Sequence, residues 1–390
     1  MTQTIRPGTR PADPGARGRG RRPTPPVILL GGGSNALSVA RSLGRAGAEV
    51  YALDDDTAYV RYSRYCRRIP VPGEAPDSWA RFLLGPRSAP WEGAVLLACS
   101  DPALALIAEH RAALAAKFRL DESDPAAQLC MLNKLSTYRE ARAAGVPTPR
   151  FWLAETREQV LALEGSLAFP LIVKPHLTHV YERRSGRKFE RADDFDQLLR
   201  AHEALSAAAI PTLLVEWIPG PDDRLCSYYT YLDGEGTPQF HFTKRVIRRF
   251  PAGMGNGCYH ITDWNPEVRD LALRLFRRAG LRGLANAEFK RDERDGLLKL
   301  IECNARFTAA NCLVARSGLD LAAFVYNRIT GRPQPPLGAY TPGLRLWDPV
   351  RDFESFLELR GRGQLTFRRW VVSILHRQTF PYFQWSDPMP

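Results

Sequence analysis

The stretch from residue 284 to residue 306, LANAEFKRDERDGLLKLIECNAR, constrains the fold of this 390-residue chain more than any other. It predicts two short strands joined by a polar turn at 292–296, where charged residues and a glycine replace the apolar pattern. In such a hairpin, Glu288 lies opposite or diagonal to Glu302 on one face of the sheet. Asn304 shares that face, because strand side chains alternate with a period of two residues.

The two acidic side chains of this hairpin need a neutralising partner, because like charges that face each other across a ladder are destabilising. Two carboxylates and an amide oxygen on one face suit Mg²⁺, a hard cation that takes oxygen ligands and keeps positions for water and phosphate. The alternative is the solvated face of an ordinary hairpin. This stretch alone leaves both interpretations open.

Length and composition place the chain among multidomain globular proteins. A single core rarely grows beyond about 250–300 residues, so we expect two or three domains. The hydrophobic fraction is 44%, and no apolar run approaches the roughly 20 residues that span a bilayer. The seven cysteines include no CxxC pair, which argues against a disulfide framework and a structural zinc site. With no apolar segment near the N-terminus, we expect no secretory signal and a cytoplasmic protein.

The net charge of +12 is unevenly distributed along the chain. Residues 1–26 contain six arginines and one aspartate, and their Pro, Gly and Arg content predicts a disordered basic tail. No aromatic residue is interleaved with these arginines, so we do not expect nucleic-acid binding. The positive charge of the remaining chain suits an enzyme that handles phosphates and carboxylates.

Residues 27–120 predict an α/β domain, because short apolar strands alternate with helical segments. Gly31, Gly33 and Ala36 satisfy the pattern G-x-G-x-x-G/A after the first strand, and Asp54 follows about where a ribose-binding acid would stand. Two interpretations stay open from these residues alone. One is a nicotinamide-dinucleotide site, and the other is a tight strand-to-helix turn in a nucleotide-free domain.

Further motifs follow in order at domain-scale spacing. They are Lys134, then FPLIVKP, which predicts a buried strand that ends in Lys174, then LLVEWIPGPDD, NAEFKRD and LIECNAR. Over residues 27–331 the chain thereby resembles the ATP-grasp superfamily. Within it the chain is most similar to a branch of predicted ATP-dependent carboligases, related in outline to carbamoyl phosphate synthetase and biotin carboxylase.

The resemblance implies a fold of mixed α/β and α+β type. A Rossmann-like pre-ATP-grasp domain at 27–120 would precede a two-subdomain ATP-grasp fold at 121–331, with the smaller central subdomain at about 137–215. Residues 332–390 form an aromatic-rich C-terminal extension. This extension is too apolar to be free, so we expect it to pack against the body, a partner or a membrane surface.

The resemblance also assigns site residues. Main-chain groups of the hinge strand would meet the adenine edge, and Glu216 or Asp223 would accept from the ribose hydroxyls. Arginines after the metal ligands and before the glycine-rich loop would contact the γ-phosphate or a substrate carboxylate. Ala305 stands where the family often has proline, and this difference removes no metal ligand. The implied ATP-binding residues are Lys134, Lys174, Lys188, Glu216, Trp217, Ile218 and Asp223; the metal ligands are Glu288, Glu302 and Asn304; and the catalytic arginines are Arg306, Arg245 and Arg248.

The resulting hypothesis is an ATP- and Mg²⁺-dependent ligase, in which Mn²⁺ could replace Mg²⁺. A carboxylate would attack the γ-phosphate of ATP to give an acylphosphate, and an amine would then displace phosphate. The expected partners are therefore a small-molecule carboxylate and amine, and a homo-oligomer stays open. The alternatives are a nucleotide-binding regulatory protein without turnover and a nicotinamide-dependent oxidoreductase. The oxidoreductase hypothesis leaves Lys134, Lys174 and the hairpin unexplained.

Overall fold

The computed structural model describes residues 24–53, 59–175, 189–207, 210–334 and 337–388. In this part of the chain the strands form three sheets, two of four strands and one of seven. Among the described helices, none is long and apolar enough to cross a bilayer.

The first sheet is parallel, with strand order β3-β2-β1-β4. Alternate residues of β1 enter two separate cores, one shared with helix α1 and the other with helices α2 to α4. Both faces of the sheet are therefore covered, as parallel strands require. Its elements are β1 (Val27–Leu30), α1 (Ser34–Arg45), β2 (Val50–Leu53), β3 (Arg67–Arg68), α2 (Asp77–Leu84), β4 (Val95–Ala98), α3 (Asp101–Glu109) and α4 (Arg111–Ala115).

The second sheet is antiparallel, with strand order β5-β8-β6-β7. Helices α7 and α8 cover one of its faces in a core of their own, whereas α5 and α6 pack against the large sheet. The elements of this region are α5 (Pro125–Leu132), α6 (Lys134–Ala143), β5 (Phe151–Leu153), α7 (Arg157–Leu161), β6 (Leu171–Pro175), β7 (Glu190–Ala192), α8 (Phe195–Ala207) and β8 (Thr212–Glu216).

The third sheet has the order β13-β12-β9-β10-β11-β14-β15 and is antiparallel except at the β14–β15 edge. The C-terminal extension supplies that edge and two helices. The elements are β9 (Leu225–Leu232), β10 (Phe242–Phe250), β11 (Asn256–Thr262), α9 (Pro266–Arg278), β12 (Gly283–Arg291), β13 (Leu298–Asn304), α10 (Asn311–Arg316), α11 (Leu321–Thr330), β14 (Arg345–Trp347), α12 (Pro349–Gly361), α13 (Phe367–Ile374) and β15 (Gln378–Thr379).

The two faces of the large sheet pack against different parts of the molecule. On the front face, Tyr229 and Leu284 join the core that contains α1, α10 and α11. On the back face, Cys226, Ala287 and Phe289 pack with α6 and α9. Because residues directly opposite each other in a ladder share a face, the register assigns every charged strand residue to one side.

The C-terminal extension packs against the body rather than standing free. Besides the two edge strands, its last residues return to the first domain, where buried Asp387 accepts hydrogen bonds from Arg41 at 2.8 Å and Ser63 at 2.7 Å. The extension therefore connects the large sheet to the parallel sheet.

Candidate functional site

The hairpin of β12 and β13 has the predicted register. Glu288 lies directly opposite Glu302, and Asn286 lies directly opposite Asn304. A register shift after Glu288 lets Leu300 pack in the back-face core while Glu302 stays on the front face. The predicted pairing of the two carboxylates on one face is therefore confirmed, and their role as metal ligands stays a prediction.

The Glu288 and Glu302 carboxylates lie in an electrostatically strained environment. Burial raises the pKa of Glu288; the Lys244 charge opposes this rise, and the Glu302 charge reinforces it. The Lys134 ammonium donates to Glu302 Oε2 at 3.0 Å. The Lys134 ammonium thus compensates part of the negative charge that the two facing carboxylates concentrate.

Two lysines approach these carboxylates from different elements. Lys134 is the first residue of α6, which Asn133 caps by accepting from the Ser136 amide. Burial lowers the pKa of Lys134, but Glu302 and Asp101 more than offset this and raise it. Lys174, at the end of β6, is 9% exposed, and burial together with the Lys134 charge lowers its pKa to about 8. Two neighbouring ammonium groups in a partly closed site favour a polyanionic ligand.

Lys244 is a site residue that the sequence motifs missed. The pairings Lys244–Ser227, Ser227–Glu288 and Glu288–Glu302 place these side chains in one row across four strands of the front face. Lys244 is 3% exposed, and its ammonium lies 3.5 Å from Nδ1 of His260. Among the described residues no carboxylate forms an ion pair with it, and burial lowers its pKa. The signal that could have found Lys244 is the strand register, which the sequence did not reveal.

Arg245 and Arg248 do not lie with the paired carboxylates: the register puts both on the back face of the sheet, and their predicted catalytic role stays a prediction. Arg245 pairs with Cys226, and Cys226 pairs with Phe289, so Arg245 lies on the back face. There it is 3.5 Å from the Asp263 carboxylate. The physical reason is the alternation of the strand, which turns Lys244 to the front and its neighbour to the back.

A bulge decides the position of Arg248. The β10–β11 register shifts between Val246 and Arg248, so that Arg248 lies opposite Tyr259 on the back face. Such an extra residue reverses the alternation beyond it. The Arg248 guanidinium donates to both oxygens of Asp352 at 2.6 and 2.9 Å, with Asp352 fully buried. The same carboxylate accepts from the indoles of Trp347 and Trp370, each at 2.9 Å. Arg248 is therefore a structural residue that fastens the C-terminal extension.

Arg306 connects the front face of the large sheet to helix α3 of the parallel sheet. Its Nε donates to Asp101, the first residue of α3, at 2.5 Å. Burial would raise the pKa of Asp101, but the adjacent Arg306 guanidinium lowers it below its ordinary value. Arg306 also lies close enough to Glu302 for that charge to raise its own pKa, against the effect of burial. Its predicted contact with phosphate or substrate remains a prediction, and Asp101 is a partner that the sequence did not suggest.

The hinge residues after β8 separate into structural and cavity-lining groups. Glu216 is 6% exposed and forms ion pairs with Arg150 at 3.2 Å and Arg294 at 2.8 Å, so its carboxylate is held within the protein, and its predicted role as a ribose acceptor stays a prediction. The Ile218 carbonyl accepts from Lys290 Nζ at 2.9 Å. These contacts brace the hinge.

Trp217 and Asp223 face a cavity of about 780 Å³. Its walls come from the hinge, the glycine-rich loop after β10 and the segment that follows α12. The Arg191 guanidinium lies 4.8 Å from the centre of the Trp217 ring. Asp223 is exposed, and its neighbour Asp222 binds Arg249 at 2.7 Å. Asp223 is thus the carboxylate of this pair that a ligand can reach, and its role in ribose binding stays a prediction.

Two predicted groups lie outside the described residues, namely Lys188 and Asp54. Gly31 itself supports the packing interpretation of the first turn, because it has φ +97° and a side-chain carbon there would come within 2.8 Å of Ser100 Oγ. Glycine is needed at such a position for close approach and for its positive φ.

The residues present fit a bound Mg²⁺. Two front-face carboxylates face each other, and the Asn304 amide nitrogen donates to Asn286 Oδ1 at 3.2 Å, which turns its oxygen toward other ligands. Within the described ranges, no cluster of three or more His, Cys, Asp and Glu side chains could hold a metal. Two carboxylates and one amide oxygen would leave further positions on a bound Mg²⁺ for water and phosphate oxygens.

Comparisons with known proteins agree with this geometry. No family model matches the chain. It is 28% identical over 329 residues to the D-aspartate ligase of Enterococcus faecium, covering 78% of this chain and 77% of that protein. It is also 28% identical over 186 residues to the D-alanine–D-alanine ligase of Alcanivorax borkumensis, an alignment that covers 44% of this chain and about half (54%) of that enzyme.

The structure resembles the ADP complex of purK, an N5-carboxyaminoimidazole ribonucleotide synthetase, with a TM-score of 0.62. The superposition covers 83% of this chain and 80% of the other at 15% sequence identity, so it establishes the shared mixed α/β fold. Taken together, the similarities in sequence and fold confirm the predicted resemblance to ATP-grasp ligases and the prediction of an enzyme that uses ATP to join a carboxylate to an amine.

Proposed function

We propose that this ligase uses Mg²⁺ and ATP to phosphorylate the carboxylate of an amino acid and then joins it to an amine. The observation that carries the proposal is the front-face row of Lys244, Glu288 and Glu302, with Lys134 bound to Glu302 at 3.0 Å. Lys244 stands at one end of this row and the two facing carboxylates at the other, with Lys134 beside Glu302. Phosphoryl transfer gains mostly from such positioning and charge neutralisation.

The proposed nucleotide site lies between the second and third sheets. Lys174 and Lys134 would bind the phosphates, and Trp217 would pack against the adenine at the hinge. Asp223, an exposed carboxylate of the hinge cavity, would accept from the ribose. Residues 27–120 would act as the pre-ATP-grasp domain, and Asp101 with Arg306 would bring it to the reacting end of the nucleotide.

Glu288, Glu302 and the Asn304 oxygen would hold the metal. When bound, Mg²⁺ would neutralise the facing carboxylates and the oxygens of the β- and γ-phosphates. Lys134, whose ammonium lies 3.0 Å from the partly exposed Glu302 carboxylate, would add a positive charge beside the phosphates.

The reaction itself needs no nucleophile from the protein. A carboxylate oxygen of the substrate attacks the γ-phosphorus, the bond to the β-phosphate oxygen breaks, and ADP leaves. The amine then attacks the acylphosphate carbon, phosphate leaves with its bonding pair, and the amine loses a proton. Lys244 and Arg306 would stabilise the charge that develops on the transferred phosphoryl group.

An amino acid is the proposed substrate because the matched relatives are named for amino acids, namely D-aspartate and D-alanine. The front face offers the charges for such a substrate. Arg306 suits a carboxylate bidentately, and Asp101 beside it suits an ammonium group.

ADP release from the purified protein, with Mg²⁺ and ATP and with separate pools of D- and L-amino acids, tests the proposal. We expect one pool to stimulate ADP release, and this stimulation to disappear in Glu302→Gln. Stimulation only by carboxylates that are not amino acids would contradict the amino-acid assignment. An equal rate in Glu302→Gln would contradict the proposed metal site.

A further inference from the structure

The back face of the large sheet holds a second cavity, separate from the site described above. Its volume is about 610 Å³, and it lies between strands β10, β11 and β14 and the segment around α13. Arg245, Ile261 and Arg345 line it from the sheet. Because these residues alternate with the front-face residues Lys244 and His260, the sheet separates the cavity from the paired carboxylates.

The lining of this cavity is strongly basic. Four of its residues are arginines and one is a histidine, and none is a carboxylate. The cationic residues are Arg245, Arg345, Arg368, Arg369 and His376.

Most of this positive charge is not neutralised by the protein. Arg345 donates to the Tyr259 hydroxyl at 2.8 Å and to the Ser373 carbonyl at 2.7 Å, which are both neutral acceptors. Among the described residues, Arg245 is the one of these four arginines with a carboxylate at ion-pair distance, Asp263 at 3.5 Å. Across the described ranges, no carboxylate forms an ion pair with Arg368 or Arg369, which are exposed on α13. Concave, uncompensated guanidinium groups of this kind concentrate anions.

The Arg345 side chain is already held in place. Its two hydrogen bonds tie β14 to β11 and α13, so that its guanidinium does not have to be ordered when a ligand arrives. The Arg248–Asp352 ion pair fixes the same corner, because Arg248 also donates to Ser373 Oγ at 2.9 Å. Guanidinium forks held in this way match the oxygens of phosphate groups.

We propose that this cavity, formed between the large sheet and the C-terminal extension, is a binding site for a multiply charged phosphate group. The phosphate could belong to a free diphosphate or to the headgroup of an anionic lipid. Both sources present the same phosphate chemistry to the arginines. The exposed apolar side chains of Phe367, Val372 and Leu375 beside the arginines could contact the acyl chains of a lipid, so the second source is tested as well. The proposal does not depend on the substrate assigned to the front face.

The test measures binding of inorganic pyrophosphate to the full chain by titration calorimetry, with ADP present to occupy the nucleotide site. In parallel, co-sedimentation is measured with vesicles of phosphatidylglycerol and of phosphatidylcholine. The variants are Arg368→Ala/Arg369→Ala and, independently, Val372→Asp, which places a carboxylate in the cavity. The matched control is Arg274→Ala/Arg277→Ala, which removes two exposed arginines from α9. Thermal melting verifies that each variant is folded.

We expect pyrophosphate or phosphatidylglycerol vesicles to bind, and binding to weaken at least tenfold in both cavity variants but not in the control. Pyrophosphate binding alone assigns a soluble ligand, and binding of phosphatidylglycerol vesicles alone assigns a lipid headgroup. Absence of both, or equal losses in the cavity variants and the control, would overturn the proposal.

Discussion

Strand β10 carries two buried cations, four residues apart, on opposite faces of the same sheet. On the back face, Arg248 is fully satisfied, because it binds both oxygens of the buried Asp352 carboxylate. On the front face, Lys244 is equally buried, but among the described residues its one hydrogen-bond partner is a histidine nitrogen at 3.5 Å. Burying a charge is costly unless it is paired.

The comparison separates charge that holds the fold from charge that is kept for a ligand. The back-face pair connects β10 to the C-terminal extension and leaves nothing for chemistry. The front face instead keeps like charges together, Glu288 opposite Glu302 and Lys174 near Lys134. Such an arrangement is stabilised when a metal and a polyphosphate bind, so the cations on the two faces should respond differently to substitution.

Loss of the back-face cation should have the largest effect, and the effect should be on stability. Arg248→Met leaves the Asp352 carboxylate buried without its guanidinium, at a cost of about 3–5 kcal/mol in the free energy of unfolding. Chemical denaturation of the variant measures this cost. A matched Arg351→Met, which removes a half-exposed arginine of α12, should cost less than about 1 kcal/mol. Equal stability of the two variants would mean that the pair is not structural.

Removal of one front-face carboxylate should abolish turnover with little change in stability. Glu302→Gln eliminates one of the two facing charges, and we expect ADP release to fall by about 10²–10³-fold or more, because charge stabilisation of the transition state is lost. Glu354→Gln, an exposed glutamate of α12, is the control and should be unaffected. If Glu302→Gln instead unfolds the protein, the carboxylate belongs with the structural charges.

Lys244→Met should reverse the result of Arg248→Met. Since the ammonium is buried without a carboxylate partner, we expect unfolding free energy to stay equal or to increase. We expect kcat to fall by about 10–100-fold, because one charge-assisted contact to phosphate is lost. Paired measurements of denaturation and ADP release verify both halves. Destabilisation by several kcal/mol with full activity would contradict the assignment of Lys244 to the site.

The pH dependence of ATP binding should be a smaller effect. The pKa of Lys174 is lowered to about 8, so its ammonium is charged below that pH and neutral above it in the free protein. Phosphate binding requires the charged form, and affinity should therefore fall by about tenfold per pH unit above pH 8. Lys174→Met should flatten this decline. Lys290 also has a pKa of about 8, but its ammonium donates to the hinge carbonyls. If the decline in affinity persists in Lys174→Met and disappears in Lys290→Met, the pH dependence belongs to Lys290 and the hinge.

The sequence predicted those parts of the site that depend on local geometry. The pairing of Glu288 with Glu302 follows from one tight turn and the period of two, and nothing distant is needed to see it. The order of the motifs likewise identified the ATP-grasp resemblance. Lys244 was missed because its row runs through β9, whose register with β10 and β12 is set only by tertiary structure.

The placements that the sequence did not predict come from a bulge and from long-range ion pairs. Alternation alone predicts that Arg248 shares a face with Lys244, but the bulge after Val246 turns it to the back. Glu216 had the sequence position of a ribose acceptor, yet its partners are 66 and 78 residues away and the sequence gives no sign of either contact. Likewise, Arg306 meets Asp101 across 205 residues.

The most direct test of the account follows oxygen from substrate to phosphate. The protein is incubated with Mg²⁺, ATP and the stimulating amino acids, with ¹⁸O in their carboxylates, and the released phosphate is analysed by mass spectrometry. If the carboxylate attacks the γ-phosphate on the front face and an amine then displaces the phosphate, one ¹⁸O atom appears in each phosphate released with product. Formation of ADP and product with unlabelled phosphate would contradict the acylphosphate route.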